Sequence, residues 1–131
     1  MFFNIDPTNG LAIYDQIGRQ VKFAVADEAL CPGDLVPSVR ELAKQLAVNP
    51  NTVARAYREL QSEQVLAGVR GTGLQVTPGA PQLCRDQRET LLGHRLRSVL
   101  LEARRSGLSD DELRKLVDDE LSHLFAGGKS K

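Results

Sequence analysis

The sequence carries no excess charge of either sign: 17 Lys+Arg stand against 17 Asp+Glu in 131 residues, which excludes a chain held to nucleic acid by its total charge alone. It has only two cysteines, Cys31 and Cys84, lying 53 positions apart, so neither a disulfide framework nor a CxxC motif is present. Both read as packed thiols in a reducing compartment. No uncharged apolar run approaches the roughly 18 to 20 residues that cross a bilayer. The opening MFFNIDPTNG meets Asp6 and Pro7 after few apolar residues and has no basic stretch, so it does not read as a signal peptide. These absences together predict a soluble, cytoplasmic chain with no membrane partner.

Catalytic and metal-binding patterns are missing too. His94 and His123 stand 29 positions apart without ligand-spaced neighbours, so no metal site is expected. Asp110, Asp111 and Glu112 suit a helix N-terminus, where the macrodipole favours negative charge, and Asp118, Asp119 and Glu120 suit a solvated face. With no nucleophile and base pairing and no phosphate-cradling glycine loop, the chain reads as no enzyme and needs no cofactor.

At 41% hydrophobic and 26% charged residues, the chain suits one compact domain or a small domain with an appendage. Its charge is uneven. Residues 36–75 hold Arg40, Lys44, Arg55, Arg58 and Arg70 against Glu41, Glu59 and Glu63, a local surplus of two positive charges. Ile13, Ile17, Val21, Ala24 and Val25 recur at helical spacing and predict a first helix from about Leu11 to Leu30, with Asp15, Arg19 and Lys22 pointing away. Cys31-Pro32-Gly33-Asp34 is the stop signal. Ser38 and Glu41 form a capping box that opens a short second helix ending near Leu46, with Leu42, Ala43 and Leu46 inward. Asn49-Pro50 opens a third, whose Val53, Ala56, Tyr57 and Leu60 make an i, i+3, i+4, i+7 apolar stripe. Two helices joined this tightly make a helix-turn-helix. Val65 to Val69 and Leu74 to Thr77 flank Arg70-Gly71-Thr72-Gly73 and predict a β-hairpin with a glycine-bearing tip.

That order describes a winged helix-turn-helix, whose third helix fits a major groove about 12 Å wide. The candidate DNA-binding residues follow from it. Ser38 and Arg40 occupy the start of the second helix, where free N–H groups and partial positive charge suit a phosphate. Asn51 and Thr52 stand in the leading turn of the third helix, placed to probe base edges. Arg55 and Arg58 lie further along it, where pairing with Glu59 or Glu63 competes with phosphate. Arg70, Gly71 and Thr72 form the wing tip.

IYDQI (Ile13 to Ile17), PGDLVPSVRELAKQLAVNPNTVARAYRELQSEQVL and RGTGLQV (Arg70 to Val76) resemble the DNA-binding domain of GntR-type bacterial transcription regulators. FNIDP and the short C-terminal part resemble the YtrA-like subfamily, which carries two helices in place of a large ligand-binding domain. The resemblance implies a winged domain over residues 11–78, with Arg40, the start of the third helix and Arg70-Gly71 contacting DNA. It also implies a small-molecule effector that releases DNA. Pro50 and Ala54 stand where some relatives place arginines. Ala47 and Gln64 stand where glycine is usual, and at Ala47 this implies either backbone strain or a different turn.

Past Pro78-Gly79-Ala80-Pro81, a boundary signal, residues 82–126 read as a helical hairpin. Leu92, Leu96, Val99, Leu100 and Ala103 make one stripe, closed by Arg104-Arg105-Ser106-Gly107. Ser109 and Glu112 form a second capping box before Leu113, Leu116, Val117, Leu121, Leu124 and Phe125. Residues from Gly127 onward read as a disordered tail. A lone hairpin cannot cover both stripes, so a second copy is expected to dock there, through Leu92, Leu96, Val99, Leu100, Leu113, Leu116, Val117 and Leu121. The expected fold class is mainly α with a small β-hairpin: an N-terminal winged helix-turn-helix and a C-terminal two-helix dimerisation hairpin. The expected function is a homodimeric repressor on a palindromic double-stranded operator, the competing reading being a protein-interaction module built on a structural winged helix.

Overall fold

The computed structural model describes residues 4–127. Among them run α1 (Ile13–Ala26), α2 (Val39–Leu46), α3 (Pro50–Ser62), β1 (Leu66–Val69), β2 (Gly73–Val76), α4 (Ala80–Arg105) and α5 (Asp110–Gly127). The chain divides into two compact units between Glu89 and Thr90, inside α4. The Phe125 side chain and the tail residues 128–131 lie outside the described residues, while Gly127 is the last residue of α5.

The first unit packs three helices over a small sheet. α1 contributes Ile17, Val21 and Val25 at four-residue intervals, α2 contributes Leu42 and Ala43, and α3 contributes Val53, Ala56, Tyr57 and Leu60. Val65, Leu66 and Val76 of the hairpin close the core, joined by Ala80 and Cys84 of α4. The unit therefore continues past the Pro78–Pro81 signal, which marks the start of α4 and not the edge of the packed region. The hairpin is antiparallel, pairing Leu66 with Val76 and Val69 with Gly73. A segment that the sequence pattern does not reveal joins it: Gly33 N–H donates to Val76 O, Val76 N–H to Asp34 O and Val36 N–H to Leu74 O, with Leu35 bridging Gln75. This short addition covers the open edge of β2.

The opening residues are also tied down. Gln20 Oε1 accepts from the Asn4 N–H, and Gln16 Oε1 accepts from the Asp6 N–H at 2.9 Å while its Nε2 donates to Asp6 O and Leu11 O. A carboxamide offers the same donor and acceptor as a peptide unit, so two glutamines one turn apart grip the segment as a neighbouring strand would. Gln16 is buried with all of these bonds made.

Expectations about α1, Lys22 and Cys31 are corrected as well. α1 stops at Ala26, four residues before Leu30, because Glu28 turns left-handed (φ 65°) and the Ala29 and Leu30 N–H groups close back onto Ala24 O. Lys22 does not point away: its side chain is 12% exposed and pairs with Glu63 beyond the end of α3. Cys31 is no packed thiol. It is exposed in the turn after α1, its N–H bonded to the Asp34 carboxylate at 2.8 Å, whereas Cys84 is buried and burial pushes its thiol pKa up.

Four helices end alike. Ala29 closes onto Ala24 O, Val48 onto Ala43 O, Val65 onto Leu60 O and Leu108 onto Ala103 O, each across a left-handed residue. Glycine serves only at Gly107; Glu28, Ala47 and Gln64 (φ 65°, 56° and 67°) hold the other three places. Ala47 therefore keeps the left-handed turn and bears strain, which resolves the two alternatives left by the sequence. Both capping boxes form, Ser38 with Glu41 and Ser109 with Glu112.

Tyr57 fixes α2 to α3. Its hydroxyl donates to Pro37 O at 2.7 Å just before α2, and only 2% of the residue is exposed. Burial first, and then the Glu41 carboxylate, push its pKa well above the usual phenol range.

In the second unit the Ser109 cap opens α5, and Arg104 pairs with Asp110 across the turn at 3.5 Å. Leu113 is buried here, not part of an open face, and shares grooves with Leu100 and Val117. Leu92, Leu96, Val99, Leu116, Val117 and Leu121 remain exposed.

A left-handed non-glycine residue costs roughly 1–2 kcal/mol, against about 0.5–1 kcal/mol for the extra freedom glycine loses on folding. Ala47→Gly and Gln64→Gly, both at exposed positions, are each expected to stabilise the chain by about 0.5–1 kcal/mol and raise the Tm by several degrees. Thermal melts followed by circular dichroism check this; a lowered Tm shows that these turns are not strained. Tyr57 gives a pH signature. An unfolded tyrosine ionises near pH 10 and the folded one resists, so its contribution is constant below about pH 10 and declines as pH rises further. Urea unfolding at pH 8, 10 and 11 should show the wild type losing stability faster than Tyr57→Phe above pH 10. At pH 8 the variant should be less stable by about 1 kcal/mol, since the Pro37 carbonyl loses its donor. Parallel pH curves contradict the assignment.

Candidate nucleic-acid interface

α3 is amphipathic by construction. With Val53, Ala56, Tyr57 and Leu60 turned into the core, Asn51, Arg55, Arg58 and Glu59 stand exposed and Thr52 half-buried. Asn49 caps the helix by accepting from the Asn51 N–H at 2.8 Å, and Pro50 follows at its first position. The link from α2 is only Ala47, Val48 and Asn49, and Val48 packs onto the core, so the two helices are held at a fixed crossing.

Ser38 spends its side chain on the capping box, accepting from the Glu41 N–H at 3.0 Å while its own N–H donates to the Glu41 carboxylate. Its hydroxyl proton remains available to an anion. Arg40, in the first turn of α2, is exposed. Glu41 brings a negative charge to the same turn, so Arg40 is the residue there able to bind a phosphate or a guanine edge with a planar fork of donors.

The wing tip is Arg70-Gly71-Thr72, closed by the Thr72 N–H donating to Val69 O. Gly71 at φ 73° takes the position of such a turn that favours glycine. Ser38, Thr72 and Gly73 line one cleft of about 560 Å³ floored by Leu30, Val36 and Tyr57, so the start of α2 and the wing tip share one surface. Among the described residues, the side chains of Arg40, Arg58 and Arg70 form no ion pair or hydrogen bond.

Arg55 differs. Its guanidinium lies over the Tyr14 ring, 3.6 Å from the centroid, its Nη2 donates to the Tyr14 hydroxyl at 2.9 Å and its Nε pairs with Glu59 at 3.5 Å. Both partners of that ion pair are about half exposed, and such an i, i+4 pair is worth about 0.3–0.5 kcal/mol. Tyr14, on α1, was not among the residues singled out from the sequence. The IYDQI motif contains it, but 41 positions separate it from Arg55 and nothing in local spacing connects the two.

The arrangement presents two helix starts, a recognition-helix face and a wing, all polar and bearing unpaired arginines. Among the described residues no group of three or more metal-ligating side chains is found, and no helix is long and apolar enough to cross a membrane.

Comparison with known proteins agrees with this architecture. Residues 13–76 match the family model described as bacterial regulatory proteins, gntR family. The chain is 34% identical over 125 residues to the HTH-type transcriptional repressor YtrA of Bacillus subtilis (strain 168), covering 95% of each. A solved GntR family transcriptional regulator from Listeria monocytogenes superposes with a TM-score of 0.67 at 30% identity, over 88% of this chain and 98% of that one. AraR(DBD), solved in complex with operator ORX1, gives a TM-score of 0.50 at 25% identity, over 59% of this chain and 93% of that one. The chain belongs to the GntR family of bacterial regulatory proteins, with a YtrA-like layout, and is a DNA-binding transcription regulator.

Proposed function

We propose that this regulator is a cytoplasmic homodimeric repressor, binding a roughly palindromic operator and excluding polymerase from the promoter. One observation carries the dimer. Among the described residues of the second unit, Leu113 is the one large apolar side chain that is buried, while Leu92, Leu96, Val99, Leu116, Val117 and Leu121 are each 41–58% exposed. Single exposed apolar side chains are ordinary, but these four leucines and two valines on two helices form an unfinished core that a second copy completes. The dimerisation hairpin is then the part of residues 82–126 beyond Glu89, and the reading domain is residues 11–78 together with the start of α4 that packs onto it. Repression is favoured by the full-length likeness to a repressor.

In this reading Arg40 contacts a base edge or phosphate, Ser38 and the first turn of α2 hold phosphate, and Asn51 and Thr52 probe the major groove. Arg55 and Arg58 take backbone phosphates, and Arg70, Gly71 and Thr72 approach the neighbouring backbone or minor groove. A reading domain with a local surplus of two positive charges binds weakly alone. Coupling two makes the second contact intramolecular and raises affinity by about 10² to 10⁴-fold. A small-molecule effector acts by changing the separation of the two reading domains, for which a 5- to 150-fold affinity change, about 1–3 kcal/mol, is sufficient.

A gel shift on the promoter of the chain's own gene should give a retarded, salt-sensitive complex, and Arg40→Ala should weaken it by about 1–3 kcal/mol with relaxed selectivity. Absence of any retarded species favours the protein-interaction reading; unchanged affinity removes Arg40 from the interface. Leu96→Asp with Leu121→Asp, both at exposed positions, should give monomers by light scattering and much weaker operator binding. A dimer that survives both changes places the contact elsewhere.

A further inference from the structure

Arg55 has two kinds of partner with opposite prospects on DNA. The Tyr14 ring beneath it is uncharged and compatible with a neighbouring anion. The Glu59 carboxylate at 3.5 Å is not, since a backbone phosphate brought to the same guanidinium would repel it. The Nη1 group takes no partner among the described residues. The hydroxyl of Tyr14, by accepting from Nη2, has its own proton free and polarised toward further donation. Donors from two helices therefore converge beside one cation that is itself half exposed.

We propose that Tyr14 is a positioning residue for DNA binding: it holds the Arg55 guanidinium flat while a backbone phosphate replaces Glu59 as its counter-anion. Glu59 thereby acts as an intramolecular competitor for DNA. Several features support the exchange. The ion pair is solvent-exposed, so breaking it leaves no buried charge behind. The stack with Tyr14 needs neither Glu59 nor the phosphate, so the guanidinium keeps its orientation as the anions change places. An arginine already held in place loses less freedom on binding than one extended into solvent. This inference rests on the DNA-binding reading, but the contact is to phosphate and so requires no knowledge of the operator.

The test measures fluorescence-anisotropy binding of the full chain to a labelled 30-base-pair mixed-sequence duplex, and to the fragment from its own promoter, across a salt series. Loss of one phosphate contact lowers the slope of log K against log salt by about 0.9. Arg55→Gln should lower the slope by about that amount per protomer. Glu59→Gln should raise affinity for both duplexes by about 2- to 10-fold with the slope unchanged. Tyr14→Leu should weaken binding, Tyr14→Phe less so, and Tyr14→Leu should add nothing in the Arg55→Gln background. That lack of additivity separates positioning from an independent structural effect. Thermal melts of each variant establish that it is folded, with Tyr14→Phe as the conservative case should Tyr14→Leu fail. The proposal is overturned if Arg55→Gln leaves the slope unchanged, if Glu59→Gln does not strengthen binding, or if folded Tyr14 and Arg55 variants weaken binding additively. A wild-type chain that binds neither duplex instead contradicts the DNA-binding reading itself.

Discussion

The orientation of α3 about its own axis is the constraint on which the interface depends. Val53, Ala56, Tyr57 and Leu60 are each no more than 2% exposed, and a core packed this tightly admits one rotation of the helix. A turn by one residue, about 100°, would bring charged or polar neighbours such as Ala54-flanked Arg55 or Arg58 toward the core and leave cavities behind. The three-residue link from α2 and the Tyr57 bond to Pro37 then fix where the start of α2 stands. Arg40 and Ser38 are placed by this packing as firmly as Asn51 and Thr52. The functional surface is the outer side of a core, and the core decides it.

What was readable in the sequence was local. Both capping boxes, the Asn49-Pro50 helix start and the glycine-bearing wing tip depend on residues within four positions of one another, and all form. What was not readable involves either distant partners or residues that break a local preference. Gln16 and Gln20 are ordinary helix residues until Asn4 and Asp6 lie beside them. Leu35 joins β2 only because the chain returns past it after α1. Glu28 ends α1 in a conformation its residue type disfavours, so the true end was obscured by the stronger signal at Cys31-Pro32. Tyr14 carried no mark of its connection to Arg55. The site was legible as a set of segments, and what the fold adds is which partners its arginines already hold.

The two units solve the same problem differently. The first gathers apolar side chains from α1, α2, α3, the hairpin and the start of α4, enough to enclose Tyr57 and a buried thiol. The second has two helices, and each apolar stripe can face only one neighbour. Burying a leucine or valine is worth about 1.5–3 kcal/mol, so four half-exposed leucines and two half-exposed valines leave several kcal/mol unrealised in the isolated chain. That is comparable with the whole stability of a small domain, and it is the physical basis of the proposed association through the second unit.

Burial also decides which positive charges are available to DNA. Lys22 and Glu63 are matched at the base of α1 and α3, with Lys22 only 12% exposed, and removing either partner would strand the other in a poorly solvated place. That pair belongs to the fold. Arg55 and Glu59 sit in solvent at about half exposure, where exchange of one anion for another costs little. Among the described residues, Arg40, Arg58 and Arg70 have no anion to exchange. A chain with equal numbers of acidic and basic residues can therefore still present a cationic surface, because residues 36–75 hold a local surplus of two positive charges and these three arginines within it are unmatched among the described residues. Neutrality of the whole limits non-specific attraction at long range, while the unmatched arginines act within a Debye length of about 8–10 Å. Binding of this kind relies on close, oriented contacts rather than on the field of the whole molecule.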